Sequence, residues 1–357
     1  MNIEIIKQLA ILIVGFALLV KGADLFVDGA SGIAKKFGIS ELIIGLTIVA
    51  MGTSAPEAAV SIAAAAKGSA GISIGNVIGS NIMNIFIILG VVAAITPLKI
   101  ERSTVRYEMP FTIIVTVLFV LMGRDGLITR VDGAILWAGL LLYIAYLLRQ
   151  AKQKPVEVPA PAETAVQKSE GTGSPEAVAE IAANVPNAAA EAGATPAADT
   201  ETRDAVPAES PSIWKLIALT IVGLAVILVS SDYAVDAAVA LAKIFNISDR
   251  VIGLTIVALG TSLPELVTSV TAALRGNADL AVGNVVGSCI FNLLFVLGTS
   301  ALILPIPCAP NFLSDAYVAV GATVLLLLFG FTQMKIVRWE GVLLVACYVA
   351  YAYVALV

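Results

Sequence analysis

The stretch GLTIVAMGTSAPE at residues 45–57 returns as GLTIVALGTSLPE at residues 253–265, 208 positions later. The register holds through a second pair of stretches, GNVIGSNIMN at 75–84 and GNVVGSCIFN at 283–292. Each copy places an acid, a proline, hydroxyls and amides inside otherwise apolar sequence. Ionisable residues within a membrane are costly and mark ion or substrate pathways. Two such stretches at matching positions of two halves therefore predict the binding site of a transporter.

The composition is that of a membrane protein, with 59% hydrophobic and 13% charged residues in a chain of 357. Apolar runs recur at about the length that a hydrocarbon core of roughly 30 Å requires. We predict an all-α polytopic fold with about ten transmembrane helices. The predicted spans are 8–28, 42–66, 71–95, 107–122, 131–148, 213–232, 251–274, 279–303, 315–332 and 340–357. Nothing in the composition suggests a nucleic-acid partner.

The absence of histidine excludes several kinds of site. A Ser-His-Asp triad is impossible, so the GISIG string at 71–75 is a chance match to the G-x-S-x-G nucleophile pattern. We therefore expect neither enzymatic activity nor a cofactor. Cys289, Cys308 and Cys347 lack metal-ligand spacing, and we expect them to be small packing residues.

Residues 151–212 interrupt the apolar pattern with a segment rich in Ala, Pro, Glu, Thr and Ser. Such a composition buries too little apolar surface to fold alone. We predict a disordered linker here, between a five-helix repeat at 1–150 and a second at 213–357. Because five spans is an odd number, equivalent helices must cross the bilayer in opposite directions. The two halves therefore form an inverted repeat.

Lysine and arginine are distributed unevenly between the two sets of predicted loops, which predicts orientation. The richer set comprises Lys35, Lys36, Lys99, Arg102, Arg106, Arg149, Lys152, Lys154, Lys215, Arg275, Lys335 and Arg338. The poorer set comprises Lys7, Lys67, Arg124, Arg130, Lys243 and Arg250. We predict that the richer face is cytoplasmic in the cell (inner) membrane, with the linker inside and both termini outside.

Pro56 and Pro264 lie inside long apolar spans. A proline within a helix donates no N–H and clashes with the carbonyl four residues earlier, here that of Gly52 or Gly260. We expect each helix to break near its Gly-Thr-Ser and to restart at the proline. Irregular backbone at membrane depth is tolerated only where it is buried or lines a cavity, so broken helices are expected at the site.

Glu57 and Glu265 directly follow the prolines. A carboxylate near the bilayer centre costs several kcal/mol unless it is paired or binds a cation. Lys21 is the only basic residue within a first-half span and is one charge for two acids, so a cation is the expected partner. Hydroxyls one helical turn or less away add oxygen atoms. They belong to Thr53, Ser54, Thr261 and Ser262.

The second part of each copy opens the following span. Ser80 and Asn84 are four residues apart and face one way, as do Ser288 and Asn292. Carboxylates, hydroxyls, amides and main-chain carbonyls suit hard cations, and Ca²⁺ tolerates such multi-oxygen geometry best. The site charge of about −2 is balanced by one Ca²⁺ or by two Na⁺, and a third Na⁺ leaves it at about +1. The same oxygens hold either cargo, which is the physical basis of exchange.

GTSAPE with GNVIGSNIMN, and GTSLPE with GNVVGSCIFN, resemble the two α-repeats of the Ca²⁺/cation antiporter superfamily, in particular the prokaryotic sodium/calcium exchangers. The resemblance implies Na⁺/Ca²⁺ antiport by alternating access, with the first and sixth spans sliding across the other helices. It implies Ca²⁺ ligation by Glu57, Glu265, Thr53 and Thr261. It implies Na⁺ sites at Ser54, Ser80, Ser262 and Ser288 with the carbonyls of Ala50 and Ala258, and a central position lined by Asn84 and Asn292.

The sequence departs from that family at two positions and leaves alternatives open. Many relatives, including K⁺-dependent ones, have an acid where Asn292 stands, so we expect no K⁺ requirement. Cys289 replaces the usual Asn, which the first repeat keeps as Asn81. H⁺/Ca²⁺ exchange, with protons loading the glutamates, is the alternative. The hydroxyl-rich flanks favour Na⁺.

Several properties stay open at this point. They are selectivity among Ca²⁺, Mn²⁺ and Cd²⁺, the oligomeric state, and the roles of Asp24, Asp28, Asp232 and Asp236.

Overall fold

The computed structural model describes residues 2–68, 70–153, 211–245 and 258–356. In the first half the helices are α1 (Asn2–Phe37), α2 (Glu41–Thr53), α3 (Ala55–Ala66), α4 (Ala70–Met83, then Asn84–Leu89 and Gly90–Ile95), α5 (Met109–Met122) and α6 (Arg130–Gln153). In the second half they are α7 (Ile213–Ile244), α8 (Ala258–Thr261), α9 (Leu263–Leu274), α10 (Ala278–Phe291, then Asn292–Leu297 and Gly298–Ile303), α11 (Pro310–Gln333) and α12 (Arg338–Leu356).

Within the described residues, four segments are wound more widely, as π-helix. They are Gly45–Val49 within α2, Asn84–Leu89 within α4, Thr104–Glu108 immediately before α5, and Asn292–Leu297 within α10. Single π-helical turns inside α-helices are frequent at functional sites. Two of the four begin at the asparagines that the repeated motif singled out.

The predicted polytopic helical fold is confirmed. Seven described helices are long and apolar enough to cross a membrane, and the bent pair α2 and α3 makes an eighth span. These eight match eight of the ten predicted spans. Of the other two, 251–274 is described only from residue 258 and includes the apolar helix α9, and 340–357 corresponds to the 19-residue helix α12.

Helix α1 is longer than the sequence predicted. The first span was placed at 8–28, but α1 has 36 residues and is about 54 Å long at 1.5 Å per residue. It ends where Gly38 adopts a positive φ of 62°, the usual helix-stopping role of glycine.

The predicted linker lies almost entirely at 154–210, outside the described residues, and stays a prediction.

Helices α1 and α7 pack against each other in opposite directions. A side chain added at Gly15 would touch Ala234, whereas one added at Gly29 would touch Thr220. Residue numbers therefore rise along α1 as they fall along α7. Because α1 and α7 occupy equivalent places in the two repeats, the two-fold axis that exchanges them is perpendicular to both helices. An axis perpendicular to spanning helices lies in the membrane plane, so the predicted inverted repeat is confirmed.

Two short ribbons show the same symmetry. Strand β1 (Leu98–Lys99) pairs with β4 (Lys335–Ile336), and β2 (Leu127–Ile128) pairs with β3 (Ile306–Pro307), both antiparallel. Each ribbon joins one strand from each repeat, and the 208-residue offset converts one ribbon into the other. The sequence did not predict these strands. Their pairing brings Lys99 and Lys335 to the same end of the molecule, as the predicted loop grouping requires.

Helix α10 lies at the centre of the bundle and α1 at its edge. Within its most apolar 18-residue window, 94% of α10 is buried in the protein, compared with 11% of α1. Helix α4, the equivalent of α10, is also largely enclosed, at 72%. The two helices that carry the Gly-Ser-x-x-x-Asn motifs are therefore the most enclosed of these spans, which shields the motifs from lipid.

We expect Gly223→Ala to loosen the contact between α1 and α7. The added methyl would lie 2.5 Å from the Phe26 nitrogen and 2.8 Å from the Gly22 carbonyl oxygen, and main-chain atoms yield only if the helix moves. Overpacking of this kind costs on the order of 1–3 kcal/mol, measurable as a lower melting temperature in detergent. The matched control is Gly321→Ala, whose methyl meets no atom within 4 Å. Equal melting of the two variants would contradict this interpretation.

Candidate functional site

Both repeats break a helix at the serine of Gly-Thr-Ser, as predicted. Helix α2 ends at Thr53 and α3 begins at Ala55, bent by 50°. Ser54 at this break has φ −80° and ψ 10°, and Ser262 repeats it with φ −90° and ψ 7°. The prolines fall in the first turn of the restarted helices, where a missing N–H is tolerated.

The break in the second repeat has a support that the first repeat lacks. Pro264 cannot donate to the carbonyl of Gly260, and this carbonyl accepts instead from Ser231 Oγ of α7, at 3.2 Å. The equivalent position in the first repeat is Ala23, which has no hydroxyl. The hydrogen bonding that holds the two broken helices is therefore unequal.

Each glutamate contacts a serine from the opposite repeat. Ser54 Oγ donates to Glu265 Oε1 at 2.8 Å, and Ser262 Oγ donates to Glu57 Oε1 at 3.1 Å. All four side chains are at most 1% exposed. The two carboxyl groups also lie close enough for direct electrostatic interaction. The two copies of the motif therefore meet to form one site with two acids.

Asn284 ties the second broken helix to α10 and to the first repeat. Its Nδ2 donates to Ser269 Oγ at 2.9 Å and to the Glu265 carbonyl at 3.4 Å. Its Oδ1 accepts from Thr53 Oγ1 at 3.0 Å. The equivalent Nδ2 contacts in the first repeat run from Asn76 to Ser61 at 2.9 Å and to the Glu57 carbonyl at 3.2 Å. These amides hold the helices together.

Several buried polar atoms around the breaks have no hydrogen-bond partner within the described part of the chain. They are Oε2 of Glu57, Oε2 of Glu265, both amide atoms of Asn84, Oδ1 of Asn292 and Oγ of Ser288. An unsatisfied buried polar group costs about 1–3 kcal/mol, and more if it is charged. A hard cation satisfies several acceptor oxygens at once.

The other predicted ligands lie on the same elements. Ser80 on α4 is buried, Ala50 is buried within α2, and Thr261 at the end of α8 is half-buried. Ala258 is the first described residue of α8. Over the described ranges no lysine or arginine forms an ion pair with either glutamate, so the acids lack a basic partner there.

Among the described residues, the ion pairs that join different helices involve Arg275. Arg275, just after α9, pairs with Asp24 of α1 at 2.6 Å and also contacts Asp28. Sequence reasoning left the role of these aspartates open. Neither Asp232 nor Asp236 forms an ion pair within the described ranges, although both are equivalent by the repeat. This link between α1 and the end of α9 is therefore one-sided.

Sequence reasoning missed one polar contact at the centre. Asn81 Nδ2 donates to the Cys289 carbonyl at 3.1 Å, and Asn292 Nδ2 donates to Asn81 Oδ1 at 3.3 Å. The motif places Asn81 one residue after Ser80, and its equivalent Cys289 was expected to be a packing residue. The only signal in the sequence was the mismatch of Asn81 with Cys289.

We expect Asn284→Leu to destabilise the protein. The substitution removes three buried hydrogen bonds and leaves the Ser269 hydroxyl without this partner, at about 1–3 kcal/mol for an unsatisfied group. Thr53 keeps its bond to the Val49 carbonyl. Ser269→Ala removes only the bond between Ser269 and Asn284. Because it also removes the serine hydroxyl, no unsatisfied hydroxyl remains at residue 269, and it should cost less. Melting temperatures in detergent without added Ca²⁺ or Na⁺ measure both. A melting point for Asn284→Leu at or above that of Ser269→Ala would contradict the bracing role.

Comparison with known proteins gives consistent matches across both repeats. The family model described as sodium/calcium exchanger protein matches residues 7–152 and 215–357. The chain is 35% identical over 361 aligned positions to the sodium/calcium exchanger MaX1 of Methanosarcina acetivorans, covering 96% of each protein. It is 37% identical over 302 positions to the inner membrane protein YrbG of Escherichia coli, covering 83% of this chain and 80% of YrbG.

Solved structures agree with the sequence matches. The sodium-calcium exchanger NCX_Mj, soaked with zero Na⁺ and Ca²⁺, superposes with a TM-score of 0.75 at 31% identity. The match covers 99% of this chain and 100% of that one. The likeness therefore extends over both repeats and includes the broken helices.

Proposed function

Because this chain belongs to the sodium/calcium exchanger protein family, we propose that it exports Ca²⁺ from the cell in exchange for Na⁺ entering down its gradient. The family consists of membrane transporters, so the chain is a cation antiporter and not an enzyme. The observation that carries the finer proposal is the pair of buried glutamates bonded crosswise to Ser54 and Ser262.

The proposed Ca²⁺ site lies between the two carboxylates. Each glutamate uses Oε1 to accept from a serine and has Oε2 buried without a hydrogen-bond partner. A divalent cation between them neutralises both charges, and oxygens from Thr53 and Thr261 extend the coordination. Multi-oxygen, flexible ligation of this kind suits Ca²⁺.

The proposed Na⁺ sites flank the carboxylates along the broken helices. Their ligands are Ser54, Ser80, Ser262 and Ser288, with the carbonyls of Ala50 and Ala258. Asn84 and Asn292 line the position between the flanks. Proton transfer to a carboxylate needs none of these hydroxyls, whereas Na⁺ needs oxygen ligands, so the donor set supports Na⁺ as the counter-ion.

Exchange requires that the site open to one side at a time. The inverted repeat relates the two access routes by symmetry, and α1 and α7 form a pair at the edge of the bundle. We assign movement to this pair against the enclosed helices α4 and α10. The lysine and arginine bias of the loops assigns residues 151–212 to the cytoplasm and both termini to the outside of the inner membrane.

The first test of this function is Ca²⁺ flux in proteoliposomes. We expect vesicles loaded with Na⁺ and diluted into Na⁺-free medium to take up Ca²⁺, because outward Na⁺ flow drives inward Ca²⁺ flow. Replacing K⁺ by choline on both sides should not change the rate, since Asn292 is neutral. Uptake driven by a proton gradient and indifferent to Na⁺ would contradict the proposal and indicate H⁺/Ca²⁺ exchange.

The second test removes one charge from the site. We expect Glu57→Gln and Glu265→Gln each to abolish Ca²⁺ flux, because the site then offers one negative charge for a divalent ion. Glu108→Gln is a matched control, since Glu108 is also fully buried and an amide oxygen still accepts from Tyr146. Near-normal flux in either site variant, with Glu108→Gln equally active, would remove the site assignment.

A further inference from the structure

Asn81 and Cys289 contact each other directly and are equivalent residues of the two repeats. Asn81 Nδ2 lies 3.1 Å from the Cys289 carbonyl oxygen, and Cys289 Sγ lies 3.9 Å from the Asn81 carbonyl oxygen. A residue that touches its own symmetry equivalent lies next to the two-fold axis. The pair therefore stands at the centre of the bundle, where the repeats differ in sequence.

The contacts of Asn81 determine which way the Asn292 amide points. A carbonyl oxygen only accepts hydrogen bonds, so the nitrogen of Asn81 must face the Cys289 carbonyl. Its Oδ1 then faces Asn292 and accepts from Asn292 Nδ2 at 3.3 Å. With its nitrogen engaged, Asn292 directs Oδ1 elsewhere, and this oxygen is buried with no hydrogen-bond partner. A chain of three groups thus presents one oriented acceptor.

The equivalent chain is interrupted in the other repeat. Asn84 is placed by symmetry to meet residue 289, where a thiol replaces the amide. A thiol has only a weak donor and a weak acceptor, so the interaction of Cys289 with Asn84 is weaker than the bond between the Asn81 and Asn292 amides. The Asn84 amide is therefore held less firmly than that of Asn292, although its sequence motif is the same.

Asn84 and Asn292 each begin a π-helical segment. Each segment packs against the helix that carries the glutamate of the other repeat. The segment starting at Asn292 packs against α3, which carries Glu57, and the segment starting at Asn84 packs against α9, which carries Glu265. Both amides therefore lie on segments that border the helices of the two glutamates.

We propose that Asn81 is a positioning residue that fixes the Asn292 carbonyl oxygen at the central position as a preorganised Ca²⁺ ligand, in addition to the carboxylates and threonines, while Cys289 leaves Asn84 more adjustable. The inference rests on the proposed Ca²⁺ site but not on the identity of the counter-ion. Its consequence is that two asparagines with the same motif contribute unequally to affinity, because an oriented ligand loses less freedom on binding.

The test measures Ca²⁺ self-exchange in proteoliposomes with equal Na⁺ and pH on both sides. We expect Asn81→Cys to raise the KM for Ca²⁺ roughly 3- to 10-fold, the size of one lost hydrogen bond, with kcat unchanged. Combined with Asn292→Ala it should add nothing, whereas combined with Asn84→Ala it should keep its full effect. Additive effects with Asn292→Ala would indicate a packing role and overturn the proposal.

Exchanging Asn81 and Cys289 gives a second, independent test. In the wild type we expect Asn292→Ala to raise KM more than Asn84→Ala does. The double variant Asn81→Cys with Cys289→Asn keeps one asparagine and one cysteine at the axis, and should restore a wild-type KM. In that background the ranking should invert, with Asn84→Ala now the more harmful. An unchanged ranking would overturn the proposal even if Asn81→Cys alone failed to fold.

Self-exchange also separates this inference from the function on which it rests. A wild-type protein that shows no saturable Ca²⁺ self-exchange would contradict the proposed Ca²⁺ site itself. A wild-type protein that exchanges Ca²⁺, with Asn81→Cys leaving KM unmoved, would contradict only the positioning role of Asn81.

Discussion

The crosswise bonding of two buried glutamates is the constraint on which the rest of the structure depends. Each acid lies in one repeat and accepts from a serine of the other, so neither repeat completes the site alone. The carboxylates are removed from water and lipid, which requires that the surrounding helices be almost fully enclosed. The near-complete burial of α10, and the helix breaks that bring Ser54 and Ser262 to the acids, both follow from this requirement.

An inverted repeat with identical halves would give its two open states equal energies, because the two-fold axis exchanges them. The two halves of this chain make different contacts in three places. Ser231 supports the break at Gly260 while Ala23 has no hydroxyl to do the same, and Arg275 joins α1 to α9 at one end only. At the centre, Asn81 and Cys289 differ. Under the proposed alternating access, any of these contacts that is made in only one of the two states would stabilise that state and shift the populations.

The sequence allowed the repeat, the helix breaks and a single site with two acids to be predicted, because each rests on local chemistry or on spacing. The crosswise bonds from Ser54 to Glu265 and from Ser262 to Glu57 were not predicted. Pro56 breaks its helix whatever surrounds it, and five spans per half force the inversion. The contact between Asn81 and Cys289 was not predictable, since it depends on which face of α4 meets α10. The length of α1 was underestimated because its polar ends lie beyond the apolar run, and helical structure continues past the run until Gly38.

The serine bonds also bear on how two different cargoes exclude each other under the proposed assignment. A hydroxyl has one donor and two acceptor sites, so Ser54 can donate to Glu265 while its oxygen binds Na⁺. Under this assignment Ca²⁺ on the carboxylates and Na⁺ on the serines use different oxygens, so exclusion does not require the shared oxygens that the sequence suggested. The two cargoes compete through charge, because unit charges about 4 Å apart interact by roughly 4 kcal/mol at an effective dielectric constant of 20, and a divalent ion doubles this. The two buried carboxylates neutralise either one Ca²⁺ or the Na⁺ ions. When one cargo is bound, the other is repelled, and exchange follows from charge balance.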